Sequence, residues 1–121
     1  MAKFIKLELG EKSYLIGFSC RASVLKAEDA GFMETLETID KKPVLGSAKI
    51  LYYGLMEKQP EITLDDCNNI LEEIAQYNIE HPNEVIRVGD ITQHILEAYY
   101  TFSATPLNQK AKAKKLEIVD L

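Results

Sequence analysis

Four prolines, at positions 43, 60, 82 and 106, set the limits on what this chain can fold into. Proline lacks a backbone N–H and clashes with the preceding helical turn, so a helix can start at one but not run through one. The chain is thereby cut into short segments, each of which must find its own cover for its apolar face. After Pro43, the residues Val44, Ala48, Leu51, Tyr52, Leu55 and Met56 recur at helical spacing, a stripe that predicts one helix closed off by Pro60. Thr63 opens the next, with Asp66 three residues on as a capping-box partner. Its stripe is Leu64, Cys67, Ile70, Leu71, Ile74 and Tyr77. The connection over 59–62 is short, which predicts that the two helices are antiparallel neighbours.

His81-Pro82-Asn83 breaks the chain again. A short helical turn over Glu84–Val88 is expected before Gly89, and Asp90, with Gln93 at the capping-box position, is expected to cap a last helix. Ile91, Ile95, Leu96, Tyr99 and Phe102 give that helix its buried face, and Thr105-Pro106 ends it. Toward the start, Phe4, Ile5, Leu7 and Leu9 interleave with Lys6 and Glu8 as a strand. Gly10–Ser13 then turns the chain into a second strand, Tyr14–Phe18. Ser23 is placed to cap a short helix through Asp29, stopped by Ala30-Gly31. The acidic segment Phe32–Ile39 has no decisive pattern. The expected fold is therefore α+β, mainly α: a hairpin over 4–18 packed on about four helices over 23–104. Residues 1–104 form a single globular domain and 105–121 a C-terminal tail, mobile in the isolated protein.

Length and composition exclude several classes. A chain of 121 residues, 46% apolar and 27% charged, buries roughly two-thirds of its unfolded surface and needs no metal or disulfide staple. No apolar run approaches the ~20 residues that span a bilayer, and charges interrupt the first residues too often for a signal peptide. A cytoplasmic protein is expected, with Cys20 and Cys67 as reduced, core-type thiols rather than a bridge. The net charge of −5 is uneven: residues 61–104 hold nine acidic side chains against Arg87 alone, whereas Lys110, Lys112, Lys114 and Lys115 make 105–121 basic. Such an acidic half argues against nucleic acid as a partner. It suits a basic or amphipathic protein partner, or a protein that docks its own basic tail.

A search for chemistry finds little. The six glycines are too scattered for a phosphate-binding loop. Cys20, Cys67, His81 and His94 lack metal-ligand spacing, so neither metal nor cofactor is expected. Cys20 beside Arg21 invites a nucleophile reading, but the residue six further on is Lys26, not the Arg of a phosphatase loop. Asp65-Asp66 and Glu72-Glu73 favour a helix N-terminus and solubility more simply than acid–base work. No catalytic residue is assigned, and the chain is expected not to be an enzyme. What stands out is aromatic. Tyr52-Tyr53 and Tyr99-Tyr100 are adjacent pairs on helices, about 100° apart in direction, so one of each faces the core and the other leans outward. With Phe102 these tyrosines are the expected partner-binding residues, because aromatic side chains bury much area at modest entropy cost.

The stretch Val44-Leu45-Gly46-Ser47-Ala48-Lys49-Ile50-Leu51-Tyr52-Tyr53-Gly54-Leu55-Met56, followed by Pro60-Glu61-Ile62-Thr63-Leu64-Asp65-Asp66, resembles a family pattern. It is similar to the helix–Leu-Tyr-x-Gly-Leu–loop–Pro-x-Leu-Thr-x-Glu-Asp–helix of tail assembly chaperones from long-tailed bacteriophages and prophages. Ile62 departs from that pattern, which has Leu there, and an Asp stands where it has Glu. The resemblance implies a non-enzymatic protein that keeps the tape measure protein soluble until tail-tube subunits replace it, with weak, open homo-oligomerisation. It also implies a longer frameshifted form, for which Lys114-Lys115 marks a candidate slippery site. The competing expectation is a small acidic regulatory or adaptor protein that binds a basic protein partner.

Overall fold

The computed structural model describes residues 3–103. In chain order the elements are strands β1 (Lys3–Leu9) and β2 (Lys12–Phe18), then helices α1 (Arg21–Asp29), α2 (Phe32–Thr38), α3 (Pro43–Leu55), α4 (Leu64–Glu80) and α5 (Val88–Phe102). The fold is α+β and mainly helical, as expected, with five helices rather than about four. The expected tail over 105–121 lies outside the described residues.

The hairpin turns on two residues, fewer than the four the sequence suggests, because Leu9 pairs directly with Lys12. Gly10 leads that loop at φ +60°, a value a side chain would resist. Ile5, Leu7, Ile16 and Phe18 share the inner face, and Leu7, Ile16 and Phe18 are buried. Phe4 belongs to the other face, where the Lys58 ammonium sits 5.2 Å from its ring centroid. β2 carries the hairpin onto α3 and α5.

α3 is the hub: α2, α4, α5 and β2 all pack on it. That explains why its buried face is wider than one stripe and includes Ile50, Tyr53 and Gly54 along with Ala48, Leu51 and Leu55. Val44, expected in the stripe, is 80% exposed, since at the first turn it lies beyond these neighbours. At Gly54 two neighbours close in at once. A Cβ there would stand 2.7 Å from Ile95 Cδ1 and 2.9 Å from Ile16 Cγ2.

The start of α4 is as expected. Thr63 Oγ1 accepts from the Asp66 backbone N–H at 3.1 Å, and Asp66 Oδ2 accepts from the Thr63 N–H at 3.0 Å. Its stripe faces inward, with Cys67, Ile70 and Ile74 buried.

Three local expectations fail. Ser23 is not a cap: α1 begins at Arg21, and the buried Ser23 hydroxyl donates back to the Cys20 carbonyl at 2.9 Å. Residues 84–87 form no helical turn, because Asn78 on α4 grips the backbone of Ile86 from both sides. Its Nδ2 donates to the Ile86 carbonyl at 2.9 Å, and its Oδ1 accepts from the Ile86 N–H at 2.7 Å. With the chain held there, α5 starts at Val88. Gly89 and Asp90 lie inside its first turn, and Asp90 does not cap it.

Candidate interaction surface

Phe32 is the residue on which the tyrosine pairs meet. Its ring stacks on Tyr99 (centroids 4.3 Å apart, planes 10° apart) and leans on Tyr53 at 5.4 Å, while Phe18 closes the cluster edge-on at 6.3 Å. Tyr53 and Tyr99 are each 3% exposed, and their buried hydroxyls are satisfied inside the protein. The Tyr53 hydroxyl donates to the Ala30 carbonyl at 3.0 Å and lies 3.0 Å from Thr35 Oγ1, which also contacts the Gly31 carbonyl at 2.9 Å. Two hydroxyl protons thus serve three contacts, and Gly31, at φ +101°, lets the chain fold tightly over them. Tyr99 donates to Glu28 Oε2 at 2.5 Å; burial, followed by that hydrogen bond and charge, pushes its pKa up.

The outward members of the pairs are Tyr52 and Tyr100, both partly exposed, as the angular argument requires. They do not share a surface. Tyr52 faces a shallow depression with Lys49, Ile62 and Leu64. Tyr100 and Phe102 line a groove of about 350 Å³ between α1, α2 and α5, whose other walls include Leu25, Glu28 and Met33. Leu25 is 58% exposed and Met33 39%. Arg21 Nη1 donates to the Phe102 carbonyl at 2.8 Å and ties the end of α5 to the groove's edge. Of the five expected partner-binding residues, then, Tyr53 and Tyr99 belong to the core and leave only a sliver of surface. Tyr100 and Phe102 lie together, and Tyr52 is elsewhere. Leu25 and Met33 were missed because α1 and α2 are too short for a period to show which of their apolar residues face outward; their mutual proximity had no signal in the chain.

The candidate chemical groups disperse. Cys67 is buried as expected, and burial, then the Asp66 charge, pushes its thiol up to about 12. Cys20 is instead exposed at the N-cap of α1, because the chain leaves β2 there to turn outward. Its thiol is lowered, first by the Ser23 backbone N–H and then by the Ser23 hydroxyl. Arg21 points to Phe102, and Ser19 is held by Glu57, whose Oε1 accepts from the Ser19 N–H at 2.9 Å while the Ser19 hydroxyl donates to Oε2. Burial raises the Glu57 carboxyl, but the Ser19 and Ser23 hydrogen bonds outweigh it and leave the pKa lowered. His81 stacks on Tyr77 at 4.2 Å, and His94 is partly buried. Among the described residues no three His, Cys, Asp or Glu side chains could hold a metal ion. No described helix is long and apolar enough to cross a membrane.

What the fold and this groove define is a small, mainly helical α+β domain with an apolar, aromatic-edged recess. No protein-family model matches the sequence, and no curated protein or solved structure matches it significantly.

Proposed function

We propose that this protein is a non-enzymatic tail assembly chaperone of a long-tailed phage or prophage, acting in the bacterial cytoplasm to keep the tape measure protein soluble. The observation that carries this reading is the α1–α2–α5 groove, where Leu25, Met33, Tyr100 and Phe102 offer apolar contact to an amphipathic helix. Helix-in-groove binding needs such anchors, and aromatic ones contribute most. The Leu-Tyr-Tyr-Gly-Leu and Pro-Glu-Ile-Thr stretches supply the family likeness. Tail-tube subunits would later displace the chaperone, and weak self-association would let many copies coat one long partner.

The test is co-expression with the large helical protein encoded downstream, followed by size-exclusion chromatography with light scattering. Solubilisation of that protein and its co-elution with many copies of this chain is the expected result. A tight closed dimer with no such complex would sink the reading. A second reading, an acidic regulatory adaptor for a basic partner, has the exposed carboxylates Asp65, Glu72, Glu73 and Glu80 along α4 in its favour. One-to-one co-elution with a basic protein would select it.

A further inference from the structure

We propose that the open edge of β1 pairs with the β1 edge of a second copy of this chain, antiparallel and centred on Leu7, so that Lys6 of each copy stands opposite Glu8 of the other. The backbone supplies the first argument. The hairpin closes on a two-residue loop with Leu9 against Lys12, and in such a hairpin the flanking pair exchanges hydrogen bonds. Alternation then turns the N–H and C=O groups of Leu9, Leu7 and Ile5 toward β2, and those of Glu8, Lys6 and Phe4 away from it. Among the described residues nothing hydrogen-bonds to that outward row. β2 has an outer edge of its own, but α3 and α5 pack against β2 and its Gly17 is buried. The sheet has two strands, so β1 is where a third can add.

Charge names the occupant and fixes the register. Lys6 and Glu8 stand on the outer face of β1 with side chains 58% and 69% exposed. Outward backbone groups pair only with outward backbone groups, so Lys6 and Glu8 must meet members of the same row in the second copy. Centred on Lys6 or on Glu8, the pairing would set a charge against its own copy, and like charges directly opposite are destabilising. Centred on Ile5 or Leu9, neither charge meets its opposite. Centred on Leu7, both cross-copy pairs are Lys6 with Glu8, while the inner face sets Leu7 beside Leu7 and Ile5 beside Leu9. The edge is thus complementary to itself about a two-fold axis at Leu7. One strand edge is a narrow contact beside the ~1,200 Å² that stable interfaces bury, so the expected dimer is reversible and forms at high protein concentration. This goes beyond the proposed function: no groove residue takes part, and a two-fold pairing closes at two copies instead of coating a partner.

The test uses the full chain. Sedimentation from micromolar to millimolar concentration reads the dimer, and residue-resolved amide exchange reads the edge. The Lys6 and Glu8 amides should gain protection as concentration rises, while those of Ile5 and Leu7, already bonded to β2, change little. Lys6→Glu and Glu8→Lys alter exposed side chains, so the circular dichroism should stay the same. Each alone turns both cross-copy pairs into like charges and should weaken the dimer roughly tenfold or more. An equimolar mixture of the two variants restores opposite charges in the mixed pair and should dimerise as the unaltered chain does. A chain that stays monomeric throughout, or a dimer that leaves Lys6 and Glu8 unprotected or ignores both substitutions, overturns the proposal. So does a mixture of the variants that fails to dimerise.

Discussion

The two thiols sit in opposite surroundings. Cys67 is enclosed on α4 and its thiol is pushed up to about 12, whereas at the exposed Cys20 the neighbouring Ser23 backbone N–H and hydroxyl lower the thiol pKa. The native protein should therefore release one equivalent in a thiol titration at pH 8, and a second only after denaturation. Because the Cys20 pKa is lowered, its alkylation rate should reach half its plateau below pH 9.0, the ordinary thiol value. A free-thiol profile at Cys20 would contradict the Ser23 contacts. The capping box is the other single-residue lever. Thr63→Ala removes the acceptor for the Asp66 N–H and should cost about 1 kcal/mol. In a domain of this size that is a fall of roughly 4–8 °C in Tm, read by thermal melting.

Elements differ in how far their own residues define them. α4 is legible because both of its determinants are local: the Thr63–Asp66 cap and a stripe repeated along 17 residues. α2 is not, because seven residues hold too few turns to show a period, and what fixes the helix is Phe32 stacking on Tyr99 of α5. The start of α5 is hidden for a similar reason. Asp90 and Gln93 look like a cap, but the Asn78 side chain decides where the preceding backbone is held. Asn78→Ala deletes both hydrogen bonds and leaves the partly buried Ile86 amide and carbonyl unpaired. A loss of about 1–3 kcal/mol is expected. Amide exchange should accelerate over 84–88 more than along the rest of α4, and uniform protection would argue against the clamp.

At the scale of the whole molecule, the aromatic cluster joins pieces that lie far apart in sequence. Phe18 comes from the hairpin, Phe32 from α2, Tyr53 from the hub helix and Tyr99 from α5. Phe32→Ala should cost about 3–5 kcal/mol, the range for emptying a buried aromatic site. Chemical denaturation should show that loss as a lower midpoint, and a change below 1 kcal/mol would mean the cluster is less tightly coupled than its geometry indicates. The groove was only half readable for the same reason. The 100° step along a helix told that Tyr99 and Tyr100 must diverge, but which one faces inward depends on where Phe32 stands. Leu25 and Met33 become neighbours only once α1 and α2 fold against α5.

The crossing at Gly54 bears on descent. α3, α5 and the hairpin approach there to a distance that leaves no room for a side chain, whereas Val44 and Ile79 stand open to water. Lineages that share this architecture can therefore drift freely at most surface positions while position 54 stays bare and Ile95 and Ile16 keep their bulk in proportion. Kinship between such chains would survive longest as a three-way spacing, in residues too few and too far apart to read as a motif.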